Sequence, residues 1–389
     1  MSDPGAQLFR PAVSDLTPYQ PGKPVEDVQR ELGLDRVVKL ASNEGPFPPF
    51  PAALEAMAGA ALELNRYPDG GVYRLHEALA ARHGVAFEQV AVGAGADGCL
   101  DMLSQATLDP GDEIVCGWPS FPSYVIYALK QGAAPVLVPL RDQRYDLDAL
   151  LAAITPRTKL VYICNPNNPT GTMNTKEELD RFFAEVPAHV LTVVDQAYFE
   201  YIDRADYPDA IEEYVKSGRR AVVLRTFSKI YGLAGLRVGY AVGPRDVCAA
   251  MTKVRRPFDV TTQAQVAALA SLDGSAEIAK RRAFNAEGLT RLTAILREHG
   301  LEPAHGAVGN FLYVEVGEDA PRLYDALLHE GVIVRPLAGF GAPTAIRVSV
   351  GTPEENEFFA AALGRVLDLA HAVARPNSAG PDDAGVQAA

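Results

Sequence analysis

Seven short apolar segments recur between residues 50 and 255, with helical segments between several of them. They read "QVAVGAG", "EIVCGW", "APVLVPL", "TKLVYICNP", "VLTVVDQAY", "AVVLRTFS" and "RVGYAVG". Apolar strands alternating with helices predict an α/β domain whose sheet is mostly parallel and sandwiched by helices. One intervening helix carries its own start signal: in "NTKEELDRFFAEV", Thr175 and Glu178 have the spacing of a capping box.

The flanking regions have a different texture. Residues 1–45 are Pro-rich and irregular ("LTPYQPGKPVEDV") and cannot build a core, so this arm is expected to pack on the small domain or on a partner. Residues 46–256 form the expected large domain, and residues 257–372 a smaller α+β domain. In that second domain "TTQAQVAALASLDGSAEIAKRRAFNAEGLTRLTAILREHG" is helical, followed by "GNFLYVEV", "LYDALLHEGVIVRPL" and "TAIRVSVG". The last helix starts at Thr352 as N-cap, with Pro353 at its first position and Glu355 closing a capping box. Residues 373–389 are small, polar and Pro/Gly-rich, and read as a disordered tail.

Charge and cysteine usage narrow the function. The 389 residues carry 36 basic and 49 acidic side chains, a net charge of −13, which argues against binding nucleic acid or an acidic membrane. Cys99, Cys116, Cys164 and Cys248 are far apart and form no C-x-x-C pair. They read as reduced thiols of a cytoplasmic protein, with no metal site. The N-terminus lacks a signal pattern, and no apolar run approaches the ~20 residues of a membrane helix.

"VAVGAGADGCLDML" places Gly93, Gly95 and Gly98 in a G-x-G-x-x-G pattern after a strand. A dinucleotide site also needs an acid at the carboxyl end of the second strand, to hold a ribose hydroxyl. Here Asp112 and Glu113 precede that strand, and Trp118, Pro119, Ser120 and Phe121 follow it. An NAD-dependent oxidoreductase is therefore disfavoured. The loop instead offers backbone amides near Ala96 and Asp97 to a single phosphate, with Asp97 suited to the N-cap.

Three other strands end in residues that fit one ligand. "VYIC" runs into "NPNNPTG", "LTVVD" ends in Asp195, and "AVVLRTF" is followed by Ser228 and Lys229. Singly, each could be a turn, a helix cap or a surface lysine. Together they suit pyridoxal phosphate, which needs a lysine for a Schiff base and a carboxylate against its ring nitrogen. Lys229 and Asp195 fill those needs, Asn168 and Tyr198 face the phenolate, and Thr226, Ser228 and Arg237 join the glycine loop around the phosphate. Phe121 would stack on the ring.

The chain resembles the fold-type I, class I/II pyridoxal-phosphate aminotransferases, nearest their histidinol-phosphate branch and its aromatic-amino-acid relatives. The resemblance rests on "LTPYQPGK", "KLASNEGPF", "NRYPDGG", "NPNNPTG", "VVDQAY", "RTFSKIYGLAGLRVGY" and "IRVSVGTPEEN". It implies that Lys229 carries the proton between the substrate Cα and the cofactor. It implies a homodimer in which Tyr67 reaches the phosphate of the neighbouring site. Arg347 would bind the substrates' anionic group, with Asn43 also at the substrate site. Independently, alternation in "AIRVSV" sets Ile346, Val348 and Val350 on one face and Arg347 and Ser349 on the other. The chain departs from the family's usual pattern at Gln196, where glutamate is common, and at Phe121, where tyrosine is common.

The amino donor is the finer question. Histidinol phosphate would use Arg347 and Arg335 for its phosphate, with Tyr19 of the arm closing over it, and 2-oxoglutarate would use the same arginines. An aromatic aminotransferase would hold a carboxylate on Arg347 and a ring in an apolar pocket, and "CGWPSFPSYVIY" resembles such relatives. Histidinol phosphate is the preferred expectation. A regulatory domain of the same fold would be expected to lack Lys229 or Arg347 and to carry a DNA-binding module. A lyase of the same fold separates poorly from a transaminase by sequence.

Overall fold

The computed structural model describes residues 9–14, 16–18 and 20–374. Tyr19 and the tail from residue 375 lie outside the described residues. The strands are β1 Val38–Lys39, β2 Val90–Gly93, β3 Glu113–Trp118, β4 Ala134–Pro139, β5 Thr158–Cys164 and β6 Leu191–Asp195. They continue with β7 Ala221–Thr226, β8 Gly239–Val242, β9 Phe311–Glu315, β10 Val332–Ile333, β11 Arg335–Pro336 and β12 Ala345–Ser349.

Among the described residues, seven strands form one sheet in the order β2-β8-β7-β6-β5-β3-β4. Every neighbouring pair is parallel except those of β8, which runs against both β2 and β7. These are the seven apolar segments of the sequence. The chain builds outward from β3 to β4 on one side and from β5 through β6 to β7 on the other. The topological switch therefore lies between β3 and β5, and a crevice opens outside the carboxyl ends there. Every residue of β6 and β7 is buried, as a sheet covered on both faces requires.

Packing divides the chain elsewhere than the change of texture at residue 257 suggests. Helix Thr262–Ser271 lies against helix Pro51–Ala60, and its Ala264, Ala267 and Ala268 join the large core, as does Ile278. The small unit begins within helix Ser275–Glu298, whose Leu292, Ile295 and Leu296 enter a second core. A face of alanines lets two helices approach closely, but such a face does not mark which core receives it. The break between these two helices falls at Gly274, where a Cβ would stand 2.4 Å from the Phe50 ring.

In the small unit β11, β12 and β9 form an antiparallel sheet backed by helix Pro353–Ala374. That helix starts as its sequence predicts, with Glu355 N–H donating to Thr352 Oγ1 (3.2 Å) and Thr352 N–H to Glu355 Oε2 (2.8 Å). It runs on through Val373 and Ala374, into the stretch expected to be tail. The arm joins this unit: β1 pairs in parallel with β10, and Val28 of helix Val25–Leu32 packs with Leu328 and Ile333. Among the described residues no helix is long and apolar enough to cross a membrane, and no cluster of His, Cys, Asp and Glu could hold a metal.

Candidate active site

Asp195 is the last residue of β6, and its side chain stands at the floor of the crevice. Its Oδ2 accepts from the Tyr124 hydroxyl at 2.7 Å and its Oδ1 from the Ala197 N–H at 3.0 Å. Burial pushes this carboxyl above its ordinary range, while those hydrogen bonds and the charge of Lys229 pull the other way. Lys229 follows β7 and places its Nζ 5.4 Å from the centre of the Tyr198 ring. Burial, reinforced by the charges of Arg347 and Arg237, brings its ammonium down to about 8; Glu44 and Asp195 oppose that shift.

A cationic cup lies beside this pair. Arg237, in left-handed backbone at φ 55°, donates from Nη1 to Ser228 Oγ (3.3 Å) and to the Ala234 carbonyl (3.1 Å). Thr226 Oγ1 donates to Ser228 Oγ (3.0 Å) and accepts the Ser228 N–H (3.1 Å). The glycine loop closes the cup from the other side. Gly95 has φ +79°, and a Cβ there would stand 2.8 Å from Arg237 Nη2. A Cβ on Gly239 would stand 2.4 Å from the Ala96 nitrogen, so β8 can pass beneath this turn only as glycine. Helix Gly95–Thr107 has Ala94 at its N-cap and no side-chain cap, leaving first-turn amides to the cleft. Asp97 is therefore not the cap. It lies inside the first turn, where Ser123 Oγ and Tyr127 OH each donate to it at 2.6 Å.

The opposite wall comes from the arm and the small unit. Asn43, at φ 54°, donates from Nδ2 to Tyr198 OH (2.9 Å) and accepts from Ser349 Oγ (3.0 Å). Arg347, only 3% exposed, donates from Nη1 to Asn168 Oδ1 and from Nη2 to the Ala41 carbonyl at 2.7 Å. It is thus a buried guanidinium at the domain junction rather than a surface ion pair. Ile346, Val348 and Val350 enter the small core, as the alternation predicts. Arg335 stands directly across β11 and β12 from Arg347 and donates to the Gln20 carbonyl at 2.6 Å.

The loop "NPNNPTG" is folded on itself and on its neighbours. Asn165 Oδ1 accepts the Asn174 N–H (2.8 Å), and Gly171 N–H donates to the Asn167 carbonyl (2.7 Å). Ser120 Oγ donates to Asn167 Oδ1 and pairs with the Tyr145 hydroxyl, both at 2.8 Å. Gln196 is wholly buried, donating to Pro208 O (2.8 Å) and Tyr207 OH (3.1 Å) and accepting from Arg225 (3.0 Å). A neutral amide serves both directions there, which a carboxylate cannot.

One cleft is lined by Ala96, Asp97, Phe121, Asn168, Asp195, Tyr198, Thr226, Ser228, Lys229 and Arg237, together with Cys164 and Ala197. Asn43 and Arg347 stand one hydrogen bond behind that lining. Tyr67 does not join it; its ring is 82% exposed and stacks on Phe258 at 4.6 Å. Tyr19 lies outside the described residues. Sequence reading missed Tyr124, whose only local sign is its place in "PSYVIY", beside the Ser123 and Tyr127 of the same helix.

The model of the family "Aminotransferase class I and II" matches residues 35–363. Histidinol-phosphate aminotransferase of Moorella thermoacetica is 46% identical over 359 residues, covering 92% of each chain. That of Akkermansia muciniphila is 46% identical, covering 91% of this chain and 97% of its own. Among solved structures, histidinol-phosphate aminotransferase from Sinorhizobium meliloti in complex with pyridoxal-5′-phosphate superposes with a TM-score of 0.85 at 30% identity, covering 93% of this chain and 98% of that one. The protein described here belongs to the class I and II aminotransferases.

Proposed function

We propose that this chain is a pyridoxal-phosphate-dependent aminotransferase that exchanges an amino group between L-histidinol phosphate and 2-oxoglutarate. The observation that carries the reading is the convergence of Lys229, Asp195 and the Arg237–Ser228–Thr226 cup in one cleft. The two relatives named for that reaction, each at 46% identity, support the choice of donor.

The residues fit the cofactor. A buried carboxylate is costly without a cation, and Asp195 would find one in a protonated ring nitrogen. The cup and the amides of Ala96 and Asp97 would hold a phosphate dianion. Phe121 would cover the ring face, and Asn168 and Tyr198 would donate to the phenolate. Pyridoxal phosphate, when bound, supplies a carbonyl carbon that exchanges amines and a ring that accepts electrons from the substrate Cα. Lys229 Nζ would be the group that takes up and returns the proton of that Cα. Its depressed pKa keeps a usable fraction of free amine near neutral pH. Arg347 and Arg335 hold the donor's phosphate and the acceptor's carboxylates. The hydrogen bond from Arg347 to Asn168 aims its guanidinium at the cleft.

The same reading makes the protein a cytoplasmic homodimer. Leu62, Leu64, Tyr67, Tyr73 and Phe258 are 87%, 53%, 82%, 55% and 45% exposed, apolar surface that a second copy would cover. Tyr67 would then reach the phosphate of the neighbouring cleft. The four cysteines are free and buried, in keeping with a reducing compartment.

The deciding experiment compares kcat/KM for histidinol phosphate and phenylalanine with 2-oxoglutarate as acceptor. A clear preference for histidinol phosphate is expected. A preference for phenylalanine would transfer the assignment to the aromatic aminotransferases. Borohydride reduction with cofactor present, followed by peptide mapping, should label Lys229; labelling at another lysine would overturn its role.

A further inference from the structure

We infer that Tyr124 is the positioning residue for Asp195, its hydroxyl holding the carboxylate ionised and aimed at the cofactor's ring nitrogen. This rests on the reading of Asp195 given above. Tyr124 is fully buried, with 0% of its surface exposed, so no bulk water serves its hydroxyl. That hydroxyl donates to Asp195 Oδ2 at 2.7 Å, and the remaining oxygen, Oδ1, takes the Ala197 N–H at 3.0 Å. Each carboxylate oxygen therefore has its own donor, one from a distant helix and one from the turn that follows β6.

The ring of Tyr124 is itself held. It stacks on Tyr162 at 4.6 Å and 11°, and meets Phe121 edge-on at 5.7 Å. One side chain thus touches both the residue expected to cover the cofactor ring and the residue expected to pair with its nitrogen. Its helix, Ser123–Gln131, also sends Ser123 Oγ and Tyr127 OH to Asp97 at 2.6 Å each. A single helix face delivers three hydroxyls to the two carboxylates that flank the cleft. Packing alone does not require the Tyr124 hydroxyl. A phenylalanine would fill the same space, whereas a buried hydroxyl without its acceptor is costly.

The test is a double-mutant cycle on the full-length apoprotein, titrated with pyridoxal phosphate and followed by absorbance. Tyr124→Phe should raise the Kd by roughly tenfold or more, the worth of one hydrogen bond to a charged group. In the Asp195→Asn background the same change should cost about twofold or less, because the charge it serves is gone. An equal rise in both backgrounds would mean a structural role and overturn the inference. So would an unchanged Kd when Asp195 is intact. If Asp195→Asn binds too weakly to titrate, the melting temperatures of the four apoproteins complete the cycle. Tyr124→Phe should then lower the melting temperature more when Asp195 is intact than in the Asp195→Asn background, and equal losses would overturn the inference. If the unaltered protein takes up no cofactor at all, the aminotransferase reading itself fails, which is a different result.

Discussion

Lys229 shows at the scale of one residue how burial becomes chemistry. Its pKa falls from 10.5 in the unfolded chain to about 8 in the apoprotein, so between those values the unfolded state binds more protons than the folded one. Stability should rise with pH across that window, and the penalty is fully present below about pH 8. Lys229→Met removes the titration. The apoprotein variant should therefore be more stable than the parent at pH 7, by an amount of order 3 kcal/mol, with the gap closing toward pH 10.5. Denaturant melts at several pH values would read this, and a gap independent of pH would contradict it. On the proposed function the same amine is the proton carrier, so Lys229→Ala should lower kcat by at least ~10²–10⁴-fold while cofactor is still taken up. Arg347→Lys keeps the charge but loses the planar fork that reaches both Asn168 and the Ala41 carbonyl. It should raise KM for both substrates by roughly tenfold to a hundredfold, with a smaller change in kcat in steady-state assays.

Elements set what single residues can do, and the strand–turn–helix from β2 into helix Gly95–Thr107 is the clearest case. The sequence pattern there matches a dinucleotide loop, yet its glycines answer to local packing. Gly95 makes room for Arg237 Nη2 and supplies φ +79°, while on β8 a Cβ at Gly239 would stand 2.4 Å from the Ala96 nitrogen. Gly95→Ala should therefore cost about 1–2 kcal/mol from left-handed backbone, and displace Arg237 from the cup. The expected result is a lower melting temperature together with weaker cofactor uptake. Normal uptake in the variant would show that Arg237 does not depend on this turn. Capping is legible at the same scale: Thr175 and Glu178 close their box as read, because both partners lie within one turn. Tyr124 is not legible, because its acceptor is 71 residues away and nothing local announces it.

For the whole molecule, the exposed apolar side chains on residues 62–73 and at Phe258 predict self-association. Leu62→Asp should shift sedimentation from dimer to monomer and lower activity with it. If Tyr67 serves the neighbouring site, then mixing Lys229→Ala with Tyr67→Ala chains should restore part of the activity that neither homodimer has. Strictly additive residual activities would argue that each cleft is complete within one chain. Phe258 bears on the same point, since it stacks on Tyr67 at 4.6 Å from strained backbone at φ 57°.

By itself the sequence determined the seven strands of the large sheet, the polar residues at the carboxyl ends of β5, β6 and β7, and the helix starts at Thr175 and Thr352. Those features depend on neighbours within a few positions, on apolar runs, and on short side chains that satisfy nearby backbone. The tertiary structure alone decided which core takes the alanine face of helix Thr262–Ser271, and it made the arm part of the small unit. It also set Arg335 across from Arg347 and brought Tyr124 onto Asp195. Each of these joins segments far apart in the chain, and only the packing of elements already formed selects such partners.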